Sequence, residues 1–218
     1  MTQITPELLL KAYAFGVFPM AKSREEREVY WVQPKERGVI PLDQFHVPKS
    51  LRKVLRKDVF EVRVDTAFDA VILGCAESGP NREDTWINEQ IIELFSDLFE
   101  AGLAHSVEAW VDNQLVGGLY GLAMGSVFFG ESMFTRQDNA SKVALCHLVA
   151  IMKNGGYRLL DTQFITGHLM QFGAVELHHQ DYMRELGDAL GQLGRFGPPL
   201  PYSEMGRLLF SQSSTQTS

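Results

Sequence analysis

Apolar residues recur along the chain with two periods, one near 3.6 and one of 2, and their alternation sets an order of elements. Thr5 as a cap, Pro6 at the first helical position and Leu8, Leu9, Leu10, Ala12 and Tyr13 behind them predict a helix that ends at Phe15–Met20. Ser23–Glu28 is charged and reads as exposed. Val29–Val32 and Gly38–Leu42 read as two short strands joined by a polar turn. Pro48 starts a helix with Leu51, Val54 and Leu55 on one face, and Phe60–Val64 alternates as a strand. Ala67–Cys75 is an apolar helix, Ser78–Asp84 a loop, and Asn88 caps a helix carrying Ile91, Ile92, Leu94, Phe95 and Leu98 as far as Gly102. Three strands follow, 106–111, 114–123 and 126–131, with Asp112-Asn113 as a tight turn and Gly125 as a break. Asp138 or Asn139 can cap the next helix, which carries Val143, Leu145, Leu148, Val149 and Met152 and stops at Gly155-Gly156. Tyr157–Phe164 is a strand, Gly167–Gln171 a short helix, Val175–Leu177 a strand and Asp181–Leu193 a helix. Gly194–Pro201 reads as loop, and the polar tail 211–218 as disordered.

From Phe60 onward the order is strand, two helices, three meandering strands, then helix, strand, helix, strand, helix. This is a mixed α/β (α+β) order, and it is similar to that of acyltransferases of the N-acetyltransferase superfamily, in which a parallel pair of strands splays apart to admit the acyl donor. The division predicted is a small α/β N-terminal domain over 1–45, with its boundary between 43 and 58, then a catalytic domain over 46–210 and the tail 211–218.

Charge narrows the choice of partner. The chain has a net charge of −7, so it carries no global basic footprint for nucleic acid. Against that background the 48–57 helix stands out, because Lys49, Arg52, Lys53, Arg56 and Lys57 share one face at i, i+3, i+4, i+7 and i+8. Such a stripe is either a solvated surface or a local contact for phosphates. The hydrophobic fraction of 45% is that of an ordinary globular protein, no run approaches a membrane span, and no signal peptide opens the chain. Cys75 and Cys146 lie in apolar helical stretches and read as buried thiols in a reducing, cytoplasmic compartment. The histidines show no metal spacing, so no metal site is expected.

Three polar residues fall where apolar ones are expected. Glu131 lies at the end of a strand among Phe128, Phe129, Met133 and Phe134, where a carboxylate is costly without a partner or a task. The plain alternative is an ion pair with Arg136. Asp161 and Gln163 lie on one face of a strand that follows a buried helix. The cluster of Phe128 and Met133 around Glu131 suggests an apolar pocket. Gly130-Glu131-Ser132-Met133-Phe134 lacks the closing glycine of a nucleophile elbow, which argues against a serine hydrolase. Gly117-Gly118-Leu119-Tyr120-Gly121 continues as a strand and is not a dinucleotide loop. A coenzyme A site needs glycines at a helix N-terminus, and Gln137–Ser141 offers an acid instead. The residues alone leave an acyl transferase with a phosphate-bearing donor, an N-acyltransferase with some other donor, or a non-catalytic module that binds RNA through the basic helix.

A set of short motifs narrows this further: Leu9–Pro19, Tyr30-Trp31, Gly74-Cys75-Ala76, Asp84-Thr85-Trp86-Ile87, Ala104–Glu108, Val116–Gly121, Gly130–Arg136, Asn139–Lys142 and Asp161-Thr162-Gln163. Together, over residues 5–190, they resemble the leucyl/phenylalanyl-tRNA–protein transferases. The resemblance implies transfer of Leu, Phe or Met from aminoacyl-tRNA to the N-terminal Lys or Arg of a protein, marking it for degradation by an N-degron pathway. It implies that Glu131, Asp161 and Gln163 match active-site positions, that Trp86 helps hold the terminal adenosine, and that the Lys49–Lys57 helix meets the acceptor stem. An aminoacyl ester is already activated, so no cofactor is expected; nor is a membrane, and the protein is expected to be a monomer. The sequence departs from the family pattern in a shortened N-terminal segment and in Met20, which stands where the family generally has a Trp beside the adenosine.

Overall fold

The structure is a computed structural model, and it describes residues 4–26, 28–77 and 85–210. The expected loop at 78–84 and the tail at 211–218 lie outside the described residues.

Helix α1 (Pro6–Ala14) starts as the sequence predicts, with the Thr5 hydroxyl accepting from the Leu8 amide. Strands β1 (Phe18–Ala21) and β2 (Val29–Val32) pair antiparallel as a two-stranded sheet of their own. The next strand, β3 (Glu36–Ile40), leaves that hairpin and joins the main sheet between two later strands, so the expected pairing of 29–32 with 38–42 does not form. Proximity in sequence suggested that pairing, but the apolar residues of β3 gain more burial in a central position.

Helix α2 (Lys49–Lys57), β4 (Glu61–Val64), α3 (Phe68–Ala76) and α4 (Glu89–Glu100) follow, then the meander β5 (Ala104–Val111), β6 (Gln114–Met124) and β7 (Val127–Thr135). Asp112 and Asn113 both take positive φ in the β5–β6 turn, as a type I′ hairpin requires. The remaining elements are α5 (Ala140–Asn154), β8 (Leu159–Gln163), α6 (Gly167–Met170), β9 (Val175–His178), α7 (His179–Leu190) and α8 (Tyr202–Phe210). Asn139 occupies the N-cap of α5 in the left-handed region, and its side chain makes no capping bond. The Thr135 hydroxyl accepts from the Ser141 amide in its place.

Seven strands form one mixed sheet in the order β4-β5-β6-β7-β8-β3-β9, antiparallel except for β7 with β8. One face packs on α2, α5 and α8, and the other on α1, α3, α4 and α7. Helix α5 is buried on most of its surface, and its first turn lies so close to β6 that a Cβ on Gly117 would fall 2.4 Å from the Ala140 methyl. Among the described residues no helix is long and apolar enough to cross a membrane.

Candidate active site

The parallel pairing of β7 with β8 lasts for three pairs, Val127 with Leu159, Phe128 with Leu160 and Phe129 with Asp161. Beyond Phe129 and Asp161 both strands continue without pairing to each other. Each then carries an irregularity. On β7, Gly130 opposes Gly121 and Ser132 opposes Tyr120, so Glu131 is the extra residue of a β-bulge. On β8, Asp161 opposes Val39 and Gln163 opposes Gly38, with Thr162 between them, and Gln163 takes φ +57°.

The diverging strands open a cleft of about 280 Å³, near the lower end for small-molecule sites of about 300 Å³. Strand β7 supplies Gly130, Glu131, Ser132 and Met133, and β8 supplies Leu160, Thr162 and Gln163. Leu145 and Leu148 of α5 make the lining apolar, and Phe18, Met20 and Trp86 close it from the N-terminal side. Met20, Trp86 and Met133, which the sequence reading names for an aminoacyl-adenosine pocket, all line this cleft.

Phe128 does not. It is fully buried where β7 still pairs with β8, opposite Leu160, and is stacked on Phe196 with ring centroids 5.5 Å apart. Phe128 and Met133 belong to the same core, but Phe128 lies before β7 and β8 diverge and Met133 beyond that point. Phe128 contributes to the packing beneath the site and not to its wall.

Glu131 is only 9% exposed. Its Oε1 accepts from the Tyr13 hydroxyl at 2.7 Å and from Gln163 Nε2 at 3.2 Å. The expected alternative partner is taken, since Arg136 pairs with Glu77 at 2.7 Å. Burial pushes the Glu131 carboxyl up to about 8, against the Tyr13 hydrogen bond, which favours the ionised form. A carboxyl raised from 4.5 in the unfolded chain to about 8 in the fold supports the native state fully below 4.5 and loses that contribution as pH rises through about 8. Glu131→Gln, which keeps shape and an acceptor oxygen, is expected to gain stability on the parent between pH 5 and 9, by on the order of a few kcal/mol. Urea midpoints of both proteins at the two pH values measure this; parallel pH curves would contradict it.

Asp161 is fully buried and does not reach the cleft. Its Oδ1 accepts from Arg37 Nε at 2.9 Å and from the Gln163 backbone amide at 2.8 Å. Its Oδ2 accepts from Arg37 Nη2 at 2.7 Å and from the Tyr182 hydroxyl at 2.6 Å. Arg37, 1% exposed, lies over the rings of Phe18 and Tyr182 at 4.6 and 4.8 Å and donates to the Gly16 carbonyl. The carboxylate thus holds the amide of Gln163 in a backbone conformation that side chains seldom adopt. The three polar residues singled out in the sequence do come together, but only Glu131 and Gln163 face the cleft.

Tyr13, Arg37 and Tyr182 escaped the sequence reading. Arg37 left a faint signal, because an Arg one residue from the buried run Gly38–Ile40 needs a counter-ion. Of the basic helix, Lys49, Lys53, Arg56 and Lys57 are exposed. Arg52 is half-buried, donates to the Val47 carbonyl at 2.9 Å and lies over the Phe210 ring. Among the described residues no group of three or more His, Cys, Asp or Glu is placed to hold a metal ion.

Residues 39–187 match the family model of leucyl/phenylalanyl-tRNA protein transferase, and residues 2–35 match the model of that family's N-terminal domain. The chain belongs to this family. It is therefore an aminoacyltransferase. The leucyl/phenylalanyl-tRNA–protein transferase of Paramagnetospirillum magneticum is 60% identical over 196 residues, 90% of this chain and 94% of the relative. That of Rhodospirillum rubrum is 60% identical over 92% of this chain and 94% of its own, and that of Nitrobacter winogradskyi 52% identical over 98% and 97%. Among solved structures, L-PGS from Bacillus licheniformis aligns over 77% of this chain and 56% of its own, at 14% identity and a TM-score of 0.40, too distant to bear on function. Within a leucyl/phenylalanyl-tRNA–protein transferase the cleft must admit an amino acid esterified to a nucleoside, and its mostly apolar lining with few polar groups suits such a ligand.

Proposed function

We propose that the cleft between β7 and β8 receives the 3′ end of a tRNA charged with Leu, Phe or Met, and that the α-amine of a protein beginning with Lys or Arg attacks the ester there. The observation that carries this is the placement of Gln163 on the cleft wall. Its Nε2 is engaged by Glu131, which leaves Oε1 to accept a hydrogen bond from the incoming amine. The new bond joins the acceptor nitrogen to the aminoacyl carbonyl carbon, the ester C–O bond breaks, and the amine proton passes to the departing 3′ oxygen. The ester is already activated, so neither ATP nor a metal or other cofactor is needed for the bond change. An α-amine titrates near 7.7–8.0, so orienting its neutral form and holding it against the carbonyl supplies much of the acceleration.

The remaining roles follow. Trp86 and Met20 pack on the terminal adenosine, and Met133 with the apolar lining receives the donor side chain. Glu131 supplies a carboxylate for a basic N-terminal residue, since an entering cation favours its ionised form. Asp161 is a positioning residue that acts through the Gln163 amide, which refines its sequence-based assignment as a group on the amine. Residues 46–210 are read as the catalytic domain and 1–45 as a small N-terminal unit tied to it by β3; the splayed parallel pair supports an N-acetyltransferase-like fold for the former. The enzyme works as a cytoplasmic monomer in an N-degron pathway.

The exposed cations of α2 are assigned to the acceptor stem. Lys53→Ala with Arg56→Ala is expected to weaken tRNA binding and reduce the slope of log Kd against log salt by about 2. An unchanged slope would return α2 to a solvated surface. The reading as a whole is tested by incubating the protein with leucyl-tRNA and peptides that start with Arg or Asp. Leucine should appear on the Arg peptide and far less on the Asp peptide. Failure to extend either peptide would favour the non-catalytic tRNA-binding module, and transfer only from a different acyl donor would favour another N-acyltransferase.

A further inference from the structure

The two-stranded sheet beside the cleft carries two exposed aromatic side chains. Its register sets Met20 opposite Tyr30, Phe18 opposite Val32 and Pro19 opposite Trp31. Directly opposed residues of an antiparallel pair leave the same face, with Cβ atoms about 4.5–5.5 Å apart. Phe18 and Met20 line the cleft, so Tyr30 stands on that same face, one strand further out. Trp31 leaves the opposite face with Pro19. Tyr30 is 43% and Trp31 39% exposed, so the two are matched in accessibility and differ in which way they face. Among the described residues Tyr30 makes no ring contact or side-chain hydrogen bond.

We propose that Tyr30 stacks the base of the nucleotide preceding the terminal adenosine of the donor tRNA, so that its single-stranded end is held at two successive bases. This rests on the reading that the adenosine packs on Met20 and Trp86. A base that continues the strand outward from Met20 meets the next aromatic surface on that face, which is Tyr30. An aromatic ring offers a platform for any base, because every base has a π-face. A partly exposed ring on the cleft side of a short hairpin meets the geometric requirement, and its twin on the far side does not.

The test is the affinity of a non-hydrolysable leucyl minihelix with an intact single-stranded 3′ end, against the same minihelix made abasic at the penultimate position. Tyr30→Ala should raise Kd for the intact minihelix by about 5- to 100-fold. It should change nothing for the abasic one, the signature of a coupled pair. Tyr30→Trp should restore binding, and Trp31→Ala should bind both as the parent does. The inference is overturned if Tyr30→Ala binds the intact minihelix normally, or weakens both minihelices equally. Trp86→Ala separates the two levels. If it weakens binding while Tyr30→Ala does not, only the Tyr30 inference fails; if it has no effect, the adenosine reading falls and this inference with it.

Discussion

Gln163→Ala is expected to slow single-turnover transfer from saturating leucyl-tRNA to an Arg-starting peptide by about 10²–10⁴-fold, with leucyl-tRNA affinity little changed. Gln163 lines the cleft and hydrogen-bonds Glu131, so truncation removes the acceptor for the amine and one of the two hydrogen bonds on the carboxyl oxygen. The fold should tolerate the change, because Ala and Gln meet a similar cost at φ +57°. Gln163→Asn provides the sharper control. Asn adopts the left-handed region more readily, so the protein should be at least as stable, but its side chain is one methylene short of Glu131. A stable and slow Asn variant assigns the loss to reach and not to folding. A fast one would remove Gln163 from the reaction.

Breaking the pair beneath it should affect stability first. Arg37→Met leaves Asp161 buried with one hydroxyl and one amide, and Asp161→Asn leaves the guanidinium without a counter-charge. Removing one partner of a buried pair typically costs about 3–5 kcal/mol. Each single variant is therefore expected to lose a large part of the unfolding free energy. The double variant Arg37→Met with Asp161→Leu should lose much less than the sum, because no uncompensated charge remains. Its transfer rate should stay low, since the Gln163 amide has lost its acceptor. Additive losses in urea titrations, or a double variant with normal transfer, would contradict a positioning role for Asp161.

Much of this site can be read in the chain, and the limits of that reading are physical. Glu131, Asp161 and Gln163 stand out because each puts a polar group into a strand whose neighbours are core residues. Their partners are not visible in the same way. Tyr13 and Glu131 are 118 positions apart, and Arg37 and Asp161 are 124 apart. Only the crossing of β3 to the side of β8 brings Arg37 to its carboxylate, and local periodicity carries no information about that crossing. The reading of Phe128 as pocket wall follows from its place in the cluster of aromatics and Met around Glu131; Phe128 pairs with Leu160 before β7 and β8 diverge, and periodicity shows neither that divergence nor the bulge at Glu131. Gly121 and Gly130 oppose each other at that bulge, and a Cβ on Gly121 would fall 2.2 Å from the Phe129 carbonyl oxygen. Gly121 therefore permits an irregularity that no hydrophobic pattern announces. Strand β1 was hidden for a related reason: Pro19 weakens its strand signal, although it is compatible with the edge of a two-stranded sheet. The basic helix was legible as a stripe, but its division into four exposed cations and one anchored Arg52 depends on Val47 and Phe210, which pattern alone cannot bring to it.

The most direct test of the central claim is a crystal structure with a leucyl-adenosine analogue in which a 3′ amide replaces the ester. The account predicts adenine packed on Met20 and Trp86, and the leucyl side chain beside Met133. It also predicts that the carbonyl carbon leaves room for a nitrogen about 3–3.5 Å away that also reaches Gln163 Oε1. An analogue bound outside the cleft between β7 and β8, or bound within it with its carbonyl turned away from Gln163, would contradict it.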